Sequence, residues 1–320
     1  MTKTKAVVIN QYGGKEQLTD ATVTLPELSA HQVLVKVKAT SVNPIDWKLR
    51  EGYLQQMMPW EFPIILGWDV AGIIEEVGSQ VSDWKVGDRV AARPDTTRFG
   101  TYAEHTIVDD HLLAKLPEEV SFKDAGALPL AGLTAYQALF THGKLQAGQK
   151  VLIHAGAGGV GTYAIQLAKE AGAYVITTAS PKNHQLLKEL GADEVIDYHT
   201  IDFETTLSEI DLVLDTMAGE VQRKSITVLK PEGRLISILS IDEDPRIQEK
   251  GIHAEAIWLQ PNGEELASLV KLMAEKKLKS VIGAEFPLNQ AGIYAAHELS
   301  ETHHAVGKIV LVAETESNAD

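Results

Sequence analysis

The chain has 320 residues, 44% hydrophobic and 23% charged, a length that accommodates about two domains, each with its own core. Its 29 Lys and Arg against 44 Asp and Glu give a formal net charge of −15, so most of the surface repels a phosphate backbone and nucleic acid is a poor partner. The absence of cysteine excludes disulfides, thiolate zinc sites and a cysteine nucleophile.

No apolar run approaches the roughly 18 residues of a membrane span, and "MTKTKAVVIN" lacks the apolar core of a signal peptide. The expectation is a cytoplasmic enzyme or binding protein. The first 120 residues read as short strands. "QVLVKVKATSV" turns Val33, Val35, Val37 and Ala39 inward and Lys36 and Lys38 outward, the two-residue period of a half-buried strand. It runs into "SVNPIDWKLREG", where Asn43, Asp46, Lys48 and Arg50 crowd together at what reads as a surface turn. "VAGIIEEVG", "DRVAAR", "YAEHTIV" and "LLAKLP" add strands between Gly, Asp and Pro punctuation, and many short strands without helices suggest a barrel-like or sandwich module.

Near Ser121 the period changes. "SFKDAGALPLAGLTAYQALF" has helical spacing, with Ser121 as N-cap, Asp124 three residues on, and Pro129 dividing it into two helices. From Lys150 strand and helix alternate: "KVLIHA", "VGTYAIQLAKEAG", "YVITTA", "PKNHQLLKELG", "EVIDY", "DLVLDT", "EVQRKSITVLK" and "RLISIL". Short apolar strands joined through helices imply a parallel sheet covered on both faces. After Trp258 come two more helix–strand units, "GEELASLVKLMAEKKL" with "SVIGAEF" and "NQAGIYAAHELSE" with "GKIVLVA", then a loose polar tail, "ETESNAD".

The sharpest chemical signal is "IHAGAGGVG", which sets Gly156, Gly158 and Gly161 in the spacing G-x-G-x-x-G between a strand and a helix. Gly156 allows a tight turn, Gly158 lets the backbone approach a pyrophosphate, and Gly161 lets helix and strand pack closely. The stretch Gly156, Ala157, Gly158, Gly159, Val160 and Gly161 then presents helix N-terminal amides to the phosphates. An NAD site places a carboxylate about 20 residues further on, but "VITTASPKNHQ" has none. Ser180, Lys182 and Asn183 stand there instead, suited to a 2′-phosphate, so the cofactor expected is NADPH.

In their order, "ALPLAGLTAYQAL", "AGAGGVG", "LGADEVIDY", "LKPEGRLISI" and "HHAVGKIVL" resemble the medium-chain dehydrogenase/reductases. The likeness is greatest to the zinc-independent quinone and alkenal or enone oxidoreductases, whose alkenal/enone group "NPIDWKLR" particularly resembles. The resemblance implies an α/β protein: a GroES-like β-rich catalytic domain of residues 1–120 completed by 259–320, with an inserted Rossmann doubly wound parallel-sheet domain, 121–258. It implies that Thr134 approaches the nicotinamide, Tyr198 sits near the adenosine phosphate, and Lys308 closes the cofactor's side, in a homodimer. In zinc-dependent relatives a cysteine stands near the position of Asn43 and a Gly-His-Glu motif at Gly67-Trp68-Asp69, so neither zinc site is expected here. His297, Glu298, His303 and His304 read as a helix end and turn with ordinary solvated imidazoles.

Without zinc, reduction of a simple carbonyl loses the Lewis acid that would stabilise its alkoxide. Hydride addition to an enone or quinone spreads the charge, and a hydrogen-bond donor or cation then suffices. Lys48 is the first candidate to polarise the substrate oxygen, against a solvated surface lysine. Asn43 either donates to the ligand or caps the turn. Asp46 reads as fixing the loop, paired with Lys48 or Arg50. Tyr53 closes the pocket, supplies a proton or packs, and Trp47, Trp60 and Trp68 either stack on a flat substrate or line the core. Asp69 meets the nicotinamide ribose or a nearby basic group. The function expected is NADPH-dependent hydride transfer to quinones or the activated C=C of α,β-unsaturated carbonyls; the alternative is a non-catalytic NADPH-binding sensor or partner protein.

Overall fold

The computed structural model describes residues 2–313; the polar tail 314–320 lies outside them. The chain divides into two compact units, one running to Leu130 and resuming at Pro261, the other Ala131–Gln260, against the expected boundaries at 120 and 258. No helix among the described residues is long and apolar enough to cross a membrane.

In the first unit the strand Gln32–Val42 organises the sheet. It pairs antiparallel with Val70–Val77, His105–Asp109 and the C-terminal Lys308–Val312. The main path runs Ile282–Pro287, Lys308–Val312, Gln32–Val42, Val70–Val77, Arg89–Ala92, Leu113–Lys115. Val33, Val35, Val37 and Ala39 are buried and Lys36 and Lys38 half-exposed, the alternation a one-sided sheet requires. Val33, Val35 and Val37 pack with Val70, Ile74, Val90 and Val108, each such side chain stabilising by about 1.5–3 kcal/mol when fully buried. A second sheet orders Thr19–Thr24, Lys3–Ile9 and Ile64–Ile65.

The expected surface turn after Val42 is instead a short, partly buried helix, Pro44–Arg50. Pro44 opens it, where its missing N–H is harmless. The Asn43 N–H donates to Asp46 Oδ2 at 2.8 Å and the Asp46 N–H to the Asn43 carbonyl at 2.9 Å. Asp46, Leu49 and Arg50 are its buried residues, the last two standing three and four positions after Asp46 as one helical face demands. Ser121 caps Phe122–Ala127 by accepting the Asp124 N–H at 3.0 Å. Pro129 then opens the second helix, Pro129–Tyr136.

The second unit is a six-stranded parallel sheet in the order Glu194–Asp197, Tyr174–Ala179, Lys150–Ile153, Ile210–Asp215, Leu229–Ser237, His253–Ala256. Its order reverses at Lys150–Ile153, the topological switch point where doubly wound folds bind ligands outside the strands' carboxyl ends. Val151, Leu152 and Ile153 are fully buried, and the crossovers carry the helices Gly159–Glu170, His184–Glu189 and Gly219–Val228.

A Cβ on Gly126 would come within 2.8 Å of Ala39 Cβ and 3.0 Å of the Ala39 carbonyl carbon. Gly126→Ala is therefore expected to push Phe122–Ala127 off the central strand and destabilise by about 1–3 kcal/mol, read as a lower midpoint in urea denaturation.

Candidate active site

The glycine turn follows Lys150–Ile153 and opens Gly159–Glu170. The residue with left-handed backbone is Ala155, at φ 50°, while Gly156 is required for space: its Cβ would lie 2.0 Å from Thr177 Oγ1. A Cβ on Gly161 would meet the Ala155 carbonyl at 2.5 Å, so this glycine sets the helix against the strand end. Gly158 is the N-cap and no side chain caps the helix. Ala157, Gly158, Gly159 and Val160 are half-exposed. An uncapped helix start with accessible amides fits a pyrophosphate.

The parallel register pairs Thr177 with Ile153 and Ala179 with Asp197, so Ser180 and Tyr198 follow neighbouring strands at the same sheet end. The Gly156 N–H donates to the Thr178 carbonyl at 3.1 Å, which ties the turn to that edge. Ser180 is half-exposed, Lys182 exposed and Tyr198 52% exposed. The residues after Ala179 are Ser, Pro and Lys, a set without the carboxylate that would repel a 2′-phosphate. Thr134 is buried within Pro129–Tyr136. Sequence reasoning passed over the loop after Ile210–Asp215. There the buried Asp215 carboxylate accepts the Met217 and Ala218 N–H groups, both at 2.9 Å, and holds Ala218 at φ 57°, a conformation costly for a non-glycine residue.

In the first unit Ser41, Asn43, Asp69 and Lys308 gather in one buried cluster. Asp69 Oδ2 accepts from Ser41 Oγ at 2.5 Å and Asn43 Nδ2 at 2.7 Å, and Oδ1 from the Leu130 N–H at 2.6 Å. Lys308 Nζ donates to the Val42 carbonyl at 3.2 Å and to Asn43 Oδ1, and lies 3.6 Å from Asp69 Oδ2. Burial pulls the Lys308 amine below its usual value while Asp69 and Asp46 oppose that. Asn43 thus spends its whole amide inside the protein, the nitrogen on Asp69 and the oxygen on Lys308. Lys308, expected beside the cofactor, is 2% exposed.

Asp46 is fully buried, and neither Lys48 nor Arg50 is its partner. Its Oδ2 accepts the Asn43 N–H and the Tyr102 hydroxyl, the latter at 2.9 Å, while Oδ1 is buried with no hydrogen-bond partner among the described residues. Arg93 is buried as well; burial lowers its pKa against the pull of Asp69 and Asp46. Arg50, with no exposed side chain, donates to the Gly13 carbonyl, Glu51, Glu301 and His297. His297 is completely buried, not solvated as expected, whereas His303 and His304 are exposed. Tyr102 and His297 carry no local motif that would single them out.

Lys48 is half-exposed, its Nζ 5.6 Å from the Trp47 ring centroid. Tyr53 is 69% exposed and packs edge-on to the same indole at 6.4 Å, as does His303 at 5.7 Å. Trp68 is fully buried, donates to the Thr97 carbonyl at 3.2 Å and packs on Trp60. Trp68 therefore belongs to the core, whereas Trp47 and Trp60 are half-exposed and Tyr53 is exposed.

Near Asn43 the acceptors are already taken by the Lys308 amine, and no group of three or more His, Cys, Asp or Glu among the described residues is arranged to hold a metal. Burial, with the neighbouring Asp69, raises the Asp46 carboxyl to about 7 against hydrogen bonds from Asn43 and Tyr102 that favour its ionised form. The folded protein then keeps a proton on Asp46 that the unfolded chain releases near pH 4, so this group's contribution to stability falls as pH rises toward 7. Asp46→Asn is expected to gain stability relative to wild type between pH 5 and pH 8 in urea denaturation; a difference that stays flat means that Asp46 titrates as an ordinary carboxyl.

Two family models match successive parts of the chain. An alcohol dehydrogenase GroES-like domain matches residues 29–118, and a zinc-binding dehydrogenase domain matches residues 190–311. The chain is 36% identical to a chloroplast envelope quinone oxidoreductase homolog of Arabidopsis thaliana, over 96% of this chain and 97% of that one. It is 34% identical to the chloroplastic NADPH-dependent alkenal/one oxidoreductase of the same plant, over 96% of this chain and 79% of that one. Its structure is similar to that of the quinone oxidoreductase from Coxiella burnetii, with a TM-score of 0.90 at 39% identity, covering 98% of this chain and 100% of that one. The chain belongs to the medium-chain dehydrogenase/reductase family of oxidoreductases, in its quinone oxidoreductase-like group.

Proposed function

We propose that this protein is a zinc-independent, NADPH-dependent oxidoreductase that transfers hydride to quinones or to the activated C=C of α,β-unsaturated carbonyls, as a cytoplasmic homodimer. The observation that carries the reading is the Lys308 amine bonded to Asn43 beside Asp69. A cation already held there supports acceptors whose developing negative charge is delocalised over those that need a Lewis acid. Two relatives carry names of the same substrate classes, a quinone oxidoreductase homolog and an NADPH-dependent alkenal/one oxidoreductase.

NADPH, when bound, supplies the hydride. The turn from Gly156 through Gly161 holds its pyrophosphate on open helix amides, and Ser180 and Lys182 meet the 2′-phosphate. Lys48 polarises the substrate oxygen, with its ammonium steadied by the Trp47 face. Tyr53, exposed on the same indole, closes over a flat substrate. Asn43 acts from behind by fixing Lys308 and Asp69.

Purified protein is expected to consume NADPH with an enal, an enone or a quinone, product analysis separating C=C from C=O reduction. Binding of NADPH without turnover across that panel would sink the reading. Lys48→Ala is expected to lower kcat/KM on the order of 100-fold, the scale of losing one charge-stabilising donor, with NADPH affinity unchanged. Lys182→Ala is expected to reduce the ratio of NADPH to NADH affinity about tenfold, as for one charge-assisted contact; an unchanged ratio assigns the 2′-phosphate to other groups.

A further inference from the structure

Four buried side chains of the first unit form a hydrogen-bonded chain with one direction. Arg50 is a donor only, and its Nη1 lies 3.0 Å from His297 Nδ1, so that ring nitrogen is the acceptor and the ring proton sits on Nε2. His297 Nε2 is 3.2 Å from the Tyr102 hydroxyl, which lies 2.9 Å from Asp46 Oδ2. The Nε2–H therefore donates to the phenol oxygen and the phenol donates to the carboxyl. Asp46 Oδ2 also takes the Asn43 N–H, and the Asn43 side chain joins Lys308 to Asp69. The chain links the helix Gln290–Glu301, which carries His297, to the residues around Asn43.

It does not conduct protons from outside, because its first member is a guanidinium that keeps its protons. What it transmits is orientation. The groups around Asp46 are Tyr102, Asp69, Lys308 and Arg93, and those around His297 are Arg50, Lys15 and Tyr102. Burial, with Arg50 and Lys15 nearby, pulls the His297 imidazole down to about 3, so the ring is uncharged at neutral pH.

We propose that His297 and Tyr102 are positioning residues: locked in one tautomer by Arg50, His297 aims the Tyr102 hydroxyl at Asp46, and Asp46, holding the Asn43 N–H, fixes the start of Pro44–Arg50, the helix that carries Lys48. The kinetic part rests on the hydride-transfer reading above; the tautomer lock does not.

Nitrogen NMR of the wild-type histidine rings tests the lock without any substrate. The expected result is one ring with Nε2 protonated and Nδ1 bare from pH 8 to pH 5. A His297 ring protonated on Nδ1, or one that takes up a second proton in that range, overturns the proposal. The kinetic test uses Tyr102→Phe and His297→Gln with the acceptor that wild type reduces. Tyr102→Phe is expected to lower kcat on the order of 100-fold, as misplacements near 1 Å do, with NADPH affinity unchanged. Glutamine accepts from Arg50 through its oxygen and donates to Tyr102 through its nitrogen, so His297→Gln is expected to stay near the wild-type rate. Wild-type kcat in Tyr102→Phe, or a loss in folded His297→Gln as large as in Tyr102→Phe, overturns the positioning role. Failure of wild type to reduce any acceptor refutes the reaction reading instead, and the NMR result still decides the lock.

Discussion

The antiparallel register between Gln32–Val42 and Lys308–Val312, which sets Ile309 against Val42 and Val310 against Ser41, is the constraint on which the first unit depends. It joins residues nearly the whole chain apart and carries the Lys308 amine to the Val42 carbonyl and Asn43. Side chains alternate faces along a strand, so a slip of one residue would turn Lys308 away from Asn43 and bring Ile309 to the polar cluster. Val310 and Leu311, both fully buried, resist that slip because it would exchange their faces.

The cluster assembled there is expensive. Asp46, Asp69, Arg50, Arg93 and Lys308 are all buried, and removing charges from water is recovered only when partners and hydrogen bonds are well placed. Asp69 meets that condition with three hydrogen bonds and the amine. Asp46, with one buried oxygen unpartnered, does not, and the carboxyl responds by holding its proton toward neutral pH. A core built for stability alone would be apolar. The second unit shows the contrast: Val151, Leu152, Ile153, Val213 and Leu214 of its central strands are apolar and fully buried, and the glycine turn, Ser180 and Tyr198 follow the strands' carboxyl ends.

Much of this was legible from local pattern. The alternation in "QVLVKVKATSV", the Ser121 cap, the Pro129 break and the strand–glycine–helix context of "IHAGAGGVG" all rest on interactions within a few residues, and periodicity and turn chemistry record such interactions. The turn's details were less legible: the left-handed position falls on Ala155, and Gly156 is there because Thr177, on the neighbouring strand, leaves no room for a Cβ. The Pro44–Arg50 helix was read as a surface turn because its polar residues look solvated in one dimension. Its buried charges make sense only with Tyr102, His297 and Glu301 around them.

The sequence by itself determined the fold class, the dinucleotide turn and the absence of thiolate chemistry, since each depends on residue type at short range or on composition. Tertiary structure alone decided the fate of the polar side chains. It sent Lys308 inward to Asn43, turned His297 from a solvated imidazole into a neutral buried link, and gave Asp46 to Tyr102 in place of Lys48 or Arg50. The physical reason is that a titratable side chain takes its charge and partners from burial and from groups brought close by strand register and helix packing, over separations that no local pattern records.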